Sequence, residues 1–333
     1  MIATPAVKDS VKTEVLNPET GFLLRIEARR EGLAASQWAE ENRDFLKAAI
    51  LRHRGVILRG FDCDRLGFSA TAKVLEPESI DYRGGIGPRN MVAPEVYNST
   101  ELPPKHSLAQ HHEMSYNAYW PMQILFFCEE PPEQGGATTI CDAGRLYQRM
   151  PETMREKFLK LGLKYVRNFT QDMPYRTIQE TFGTTDPQFI DEFCQKNGVQ
   201  TRWQGADRLT LTQFAPAVRQ HPSVGTPVFF NTLVLWHYTY WSKLLGSFGG
   251  TLSSAAQAEA WQNSLYGDGT PIEDSVVQDI LGLYEREEVH IDWHQNDILY
   301  FDNMLASHGR RPFAGRRKIL AAFRSPFYAS QLA

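Results

Sequence analysis

Gln110-His111-His112-Glu113-Met114-Ser115-Tyr116 is the stretch on which the reading of this chain turns. As a strand it alternates, so His111, Glu113 and Ser115 share one face and His112 takes the other. A His-x-Glu pair alone reads equally well as a surface salt pair. A third group stands near the end of the chain, in Phe301-Asp302-Asn303-Met304-Leu305-Ala306-Ser307-His308-Gly309-Arg310. His308 closely follows a strand-like run, where a loop can aim it inward. Two imidazoles and one carboxylate form the facial ligand set of non-haem Fe(II) centres, which leaves three positions open. Two of them suit a bidentate 2-oxo acid and the third O2.

A 2-oxo acid also needs a cation for its distal carboxylate, and the planar guanidinium fork suits that task. Arg316 and Arg317 lie 8 and 9 residues after His308 (316−308 and 317−308) and lead into the final strand. Strand phase puts Arg317 with Ile319, Ala321 and Phe323, and Arg316 with Lys318 on the opposite, solvated face.

Outward from these segments, many short strands are separated by turn signals. Gly21–Glu27, Gly55–Phe61, Gln123–Cys128, Thr138–Ile140, Val289–Ile291, Ile298–Phe301 and Ile319–Phe323 read as strands. An amphipathic helix runs from a Ser36 cap through Ile50, others begin at Asp142 and Pro151, and a fourth covers 272–286. Residues 1–15 are polar, aperiodic and expected to be loosely ordered. Residues 16–333 read as one domain, with 165–225 a mixed, polar insertion of the kind that lids a site. The pattern predicts a mainly β fold, a sandwich or barrel core with flanking helices.

Composition agrees. The 333 residues are 42% hydrophobic and 22% charged, with a net charge of −4. Disorder and coiled coil are excluded as whole-chain descriptions, and the negative balance argues against nucleic acid as a partner. No apolar run approaches a membrane span and no secretory signal is visible. Cys63, Cys128, Cys141 and Cys194 have no zinc spacing and read as buried, reduced thiols of a cytoplasmic protein.

The joint order of His111-x-Glu113, Gly135-Gly136-Ala137-Thr138, Asp302-Asn303, His308 and Arg317 resembles the taurine dioxygenase (TauD/TfdA-like) family of Fe(II)/2-oxoglutarate-dependent oxygenases. The resemblance spans nearly the whole chain, from the Gly55–Phe61 strand to the last. It implies a double-stranded β-helix, a jelly-roll core. It also implies iron on His111, Glu113 and His308, and 2-oxoglutarate held by Thr138 and Arg317, with Asn98 and Ser99 as weaker pocket-lining candidates. Substrate contacts would come from Arg83, Arg89, Ser115, Asn117 and Asn231. The reaction implied is hydroxylation of an unactivated C–H, with succinate and CO2 released. The same centre also supports desaturation, cyclisation or oxidative cleavage.

Three departures matter. The carboxylate ligand is Glu113 where many members carry Asp, and its presence argues against halogenation. The His308–Arg317 gap is shorter than in the taurine enzyme. Ala321 stands where that enzyme has a second arginine, which argues against a sulfonate held in the same manner. The motifs His-x-Glu-Met-Ser-Tyr and His-Gly-Arg-x-Pro-Phe are similar to the branch acting on amino acids in natural-product pathways. The expected partner is therefore an amino-acid-like small molecule, free or tethered to a carrier protein, with a homo-oligomer left open. Two other classes compete: a zinc hydrolase on the same ligands, and a metal-dependent binding module without catalysis. The first leaves Thr138 and Arg317 without an obvious role, and the second predicts tight ligand binding without O2 consumption.

Overall fold

The computed structural model describes residues 10–80, 90–99, 102–170, 177–205, 207–246 and 260–332. Arg83 and Arg89 lie outside the described residues, as do residues 1–9. In chain order the first strands are β1 (Val11–Asn17), β2 (Phe22–Ala28), β3 (Gly55–Arg59), β4 (Met91–Ala93), β5 (Val96–Asn98), β6 (Leu108–His111), β7 (Tyr119–Glu130), β8 (Gln134–Gly135), β9 (Thr138–Asp142) and β10 (Leu163–Phe169). The second half adds β11 (Gln200–Trp203), β12 (Leu209–Ala215), β13 (Arg219–Gln220), β14 (Pro227–Val228), β15 (Gln262–Tyr266), β16 (Val289–Ile291), β17 (Ile298–Asp302), β18 (Ala306–Arg310), β19 (Phe313–Ala314) and β20 (Lys318–Tyr328).

The major sheet has the order β1-β2-β3-β17-β7-β20-β5-β4, and the minor one β16-β9-β18-β6. All pairings are antiparallel except β2 with β3. Period-two alternation decides what each face touches. On β7 and β20, Ile124, Phe126, Cys128, Ile319, Ala321 and Phe323 point toward the minor sheet. There they meet Ile140, Ile291 and Ala306 in one core. Leu125, Phe127, Leu320 and Ala322 point the other way, onto the helices Arg43–His53 and Arg65–Leu75, through Leu46, Ile50, Phe68 and Leu75. The major sheet is thus covered on both faces, which is why its central strands read as continuous apolar runs. The result is the expected jelly-roll core with helices outside it.

Four local expectations change. Residues 11–15 are not loose: they form the edge strand β1 on β2, with Val11 buried. An edge strand shows water its polar side, so its sequence looks aperiodic. The helix read from a Ser36 cap is two helices, Ala35–Glu41 and Arg43–His53, divided at Asn42. It starts two residues earlier than a Ser36 cap implies, because Ala35 N–H donates to Asp62 O and Asp62 N–H to Leu33 O. The described part of 165–225, expected as a mixed, polar insertion, is a folded unit with a sheet and a core of its own. Strands β11, β12, β10 and β15 form one sheet in that order, and helices close over their own cluster of Phe169, Ile190, Cys194 and Leu209. His308 lies within β18, not in a loop after a strand.

All four cysteines are unpaired and buried. Burial raises the thiols of Cys63, Cys128 and Cys194 to about 12 and that of Cys141 well above its ordinary value. Thiolate is the reactive form. Native protein is therefore expected to resist a thiol-disulfide reagent, and guanidinium-unfolded protein to release four equivalents; rapid native labelling would contradict this packing. No helix among the described residues is long and apolar enough to cross a membrane.

Candidate metal centre

His111 ends β6 and His308 sits in the middle of β18, and the two are direct cross-strand partners. Partners in an antiparallel ladder project to the same face, and the ring centroids stand 4.2 Å apart. Glu113 comes to them differently from the alternation expected of a strand. The strand stops at His111, and Glu113 is carried back by the turn that follows. One ligand atom from each of His111, Glu113 and His308 lies within 4.8 Å of the others, and all three residues are buried. His111 Nδ1 donates to Ala109 O at 2.9 Å, so Nε2 is the nitrogen it presents. Phe126 and Phe301 pack edge-on to His308, at 5.2 and 5.4 Å. Gly309 permits the close strand spacing. A Cβ there would meet Leu108 O at 2.7 Å and Thr139 Oγ1 at 2.8 Å.

Asn303 fixes the turn. Its Oδ1 accepts from Glu113 N at 2.9 Å, and its Nδ2 donates to Glu113 O and Pro121 O, each at 2.9 Å. Its carbonyl accepts from His112 Nδ1 at 2.6 Å, and its own N–H donates to Met122 O. Asp302 holds Asn303 in place by accepting from Met304 N and Leu305 N and pairing with buried His221 at 3.1 Å. Asn303 was legible only as part of a motif; nothing in the sequence shows that its amide clasps Glu113 from both sides.

Beside the ligands lies a pocket lined by Ser99, Leu108, Phe126, Thr138, His308 and Arg317. Arg317 donates to Gly136 O at 2.9 Å and to Thr138 Oγ1 at 3.1 Å. The positive φ of Gly135 and Gly136 shapes the turn that turns this carbonyl toward it. Burial, then the neighbouring Arg310 charge, lowers the Arg317 guanidinium to about 10, so it stays cationic at neutral pH. Arg310 spends its own guanidinium on the carbonyls of Leu102, Pro103 and His106. Arg316, by contrast, is exposed. Two imidazoles and a carboxylate, beside a pocket that holds a buried cation, fit a divalent iron and a 2-oxo diacid.

The other expected contacts separate. Ser99 lines this pocket, and Asn98 lines a neighbouring cavity that shares Ser99 and Arg317 with it. Ser115 does not share the ligand face: its hydroxyl donates to His112 O and meets Thr232 Oγ1. Asn231 is likewise committed, donating to Ala217 O and accepting from Leu233 N. Both brace the turn because the chain leaves strand geometry at His112, which cancels the alternation on which Ser115 was placed. Asn117 faces the insertion, accepting from Gln213 Nε2 at 2.8 Å. Trp293, whose indole N–H donates to Thr138 Oγ1 at 2.9 Å, was missed.

A profile of the family described as "Taurine catabolism dioxygenase TauD, TfdA family" matches residues 18–323. The chain belongs to the TauD/TfdA family. It is an Fe(II)/2-oxoglutarate-dependent oxygenase, and its cofactors are Fe(II), 2-oxoglutarate and O2. The dapdiamide synthesis protein DdaC of Enterobacter agglomerans is 32% identical over 288 residues, covering 84% of this chain and 85% of that one. A clavaminate synthase-like protein of Arabidopsis thaliana is 28% identical over 297 residues, 86% of each chain. PvcB of Pseudomonas aeruginosa shares the fold, with a TM-score of 0.56 at 16% identity over 96% of this chain and 94% of that one. A PvcB structure is described as an Fe, α-ketoglutarate dependent oxygenase from an isonitrile synthetic pathway.

Two outcomes follow for this TauD/TfdA member. Asn303→Ala removes the clasp on Glu113 while sparing every ligand. Fe(II) affinity is expected to fall roughly 10–100-fold, read by metal titration; an unchanged affinity would show that the turn holds itself. Burial, partly offset by the Asn303 carbonyl, pushes the His112 imidazolium down to about 4 from 6.5. The unfolded chain then binds the extra proton first, so stability falls as pH drops from about 6.5 to about 4. Urea midpoints of metal-free protein should show this loss, and His112→Asn should flatten it.

Proposed function

We propose that this enzyme hydroxylates an unactivated C–H of an amino-acid-like small molecule in a natural-product pathway. The observation that carries the iron assignment is the convergence of His111, Glu113 and His308 beside the Thr138–Arg317 pair. What supports the substrate class is the similarity to DdaC, a dapdiamide synthesis protein. The carrier-tethered substrate is the alternative form, and the 165–225 unit packed on Asn117 is the proposed cover of the site. Four buried, unpaired thiols support a reducing compartment, the cytoplasm.

Bound Fe(II) with 2-oxoglutarate supplies the oxidising chemistry, in which O2 is consumed, succinate and CO2 leave and a C–H bond is hydroxylated. The chain's residues have simpler tasks. His111, Glu113 and His308 would hold the metal by one face and leave the opposite face to cosubstrate and O2. Thr138 and Arg317 would take the distal carboxylate and set its orientation. Phe126 and Phe301 keep water from the His308 side of the centre. No general base or nucleophile is needed. A zinc hydrolase would need no buried arginine and threonine aimed at a second anion.

The test is succinate formation by anaerobically Fe(II)-loaded protein with 2-oxoglutarate and O2, across free amino acids and the same compounds loaded on a carrier protein. Substrate-stimulated succinate that disappears in His308→Ala, together with its iron, is expected. Arg317→Ala is expected to raise the KM for 2-oxoglutarate by roughly tenfold or more, as for loss of a charge-assisted pair. Stimulation by no amino acid in either form would overturn the substrate assignment. Iron binding without any succinate would overturn the assignment of the metal and cosubstrate residues.

A further inference from the structure

We propose that Trp293 is a positioning residue that fixes the direction in which the Thr138 hydroxyl donates, and so makes the cosubstrate subsite selective for a carboxylate over a carboxamide. The proposal rests on the placement of 2-oxoglutarate at Thr138 and Arg317.

A threonine hydroxyl has one O–H and two lone pairs. The Trp293 indole nitrogen donates to Thr138 Oγ1 at 2.9 Å, and Arg317 Nη2 donates to the same oxygen at 3.1 Å. Neither group can accept: indole and guanidinium are donors only. Both lone pairs are therefore filled, and the hydroxyl proton has one direction left, away from both donors. Thr138 lines the pocket that it shares with His308 and Arg317. The subsite thus offers its ligand an O–H and guanidinium N–H groups, and no acceptor at either residue. A carboxylate, which only accepts, satisfies it. A carboxamide would turn an N–H toward an oxygen that has no lone pair to give.

The surroundings hold the indole still. Thr138 and Trp293 are both buried. Ile291 of β16 is the ladder partner of Thr138, and Trp293 follows two residues later. Arg59 grips the intervening segment. It donates to Asp292 O at 2.9 Å while pairing with the fully buried Asp297 at 2.6 Å. An indole on so short a tether from the ladder has one way to face, and Thr138 is what it faces. With the indole N–H gone, the hydroxyl regains a lone pair and can rotate to accept.

The experiment is anaerobic calorimetry of Fe(II)-loaded protein with 2-oxoglutarate and with its distal carboxamide, in wild type, Trp293→Phe, Thr138→Val and the double variant. Trp293→Phe is expected to weaken 2-oxoglutarate about fivefold and to narrow the gap between carboxylate and carboxamide. In the Thr138→Val background the same change should alter 2-oxoglutarate affinity less than about twofold, because the indole acts only through the hydroxyl. Additive effects, or equal weakening of both ligands, would overturn the proposal. A benzothiophene analogue of tryptophan at position 293 keeps the shape and lacks the N–H, so it serves if Trp293→Phe does not fold. If Arg317→Ala and Thr138→Val both bind 2-oxoglutarate as wild type does, the placement of the cosubstrate fails instead. If those two weaken binding and Trp293→Phe does not, only the role of Trp293 fails.

Discussion

One side-chain amide holds the centre together. Glu113 must leave its strand to meet two histidines that stay on theirs, and an irregular turn in a buried place must pair its own polar groups. Asn303 does this for four of them at once: both backbone groups of Glu113, the carbonyl of Pro121 and the ring of His112. Its two-sided chemistry explains why no isosteric residue serves. Aspartate would turn an oxygen toward two carbonyls, and leucine would leave the three groups met by the amide unpaired, since the His112 ring is held by the backbone carbonyl. The sheets set where the histidines stand; the amide sets where the carboxylate stands.

The same division explains what could be read beforehand. Arg317 was placed by strand phase, and it does reach Thr138, although it stands just before β20 and the ladder to β7 is irregular between Lys318 and Ile319. The strands at 55–61, 123–128 and 298–301 were legible because burial on both faces leaves an apolar signature, and 289–291 because Val289 and Ile291 alternate with exposed His290. Ser115 failed because a period was carried past the residue at which the strand ended. Ser36 failed because a backbone bridge at Asp62, remote in sequence, starts that helix in place of a local side chain. Asn303 stood out only as part of a motif, with no sign of its task, and Trp293 left no local signal at all. Their partners lie 190 and 155 residues away, and only folding brings them together.

Two guanidiniums stand near one another beside the centre, yet they behave differently. Arg310 is spent on three backbone carbonyls and serves the loop before β6. Arg317 makes one backbone and one hydroxyl contact, and the rest of its fork faces the pocket. Burial lowers the affinity of both guanidiniums for a proton, and the Arg310 charge lowers that of Arg317 further. A nearby anion relieves this repulsion, so the unliganded pocket holds positive potential that its cosubstrate neutralises.

The cross-strand pairing of His111 with His308 also has a bearing on how the chain folds. Those residues are 197 positions apart (308−111), and joining the ends of so long a loop costs on the order of 5 kcal/mol in chain entropy. The ladder contacts that place the two rings 4.2 Å apart help to meet that cost. A metal bound there spans most of the sequence like a stitch. Its binding energy is shared by every element enclosed between the two histidines, not by the pocket alone. The chain's resistance to unfolding is thereby tied to its iron supply.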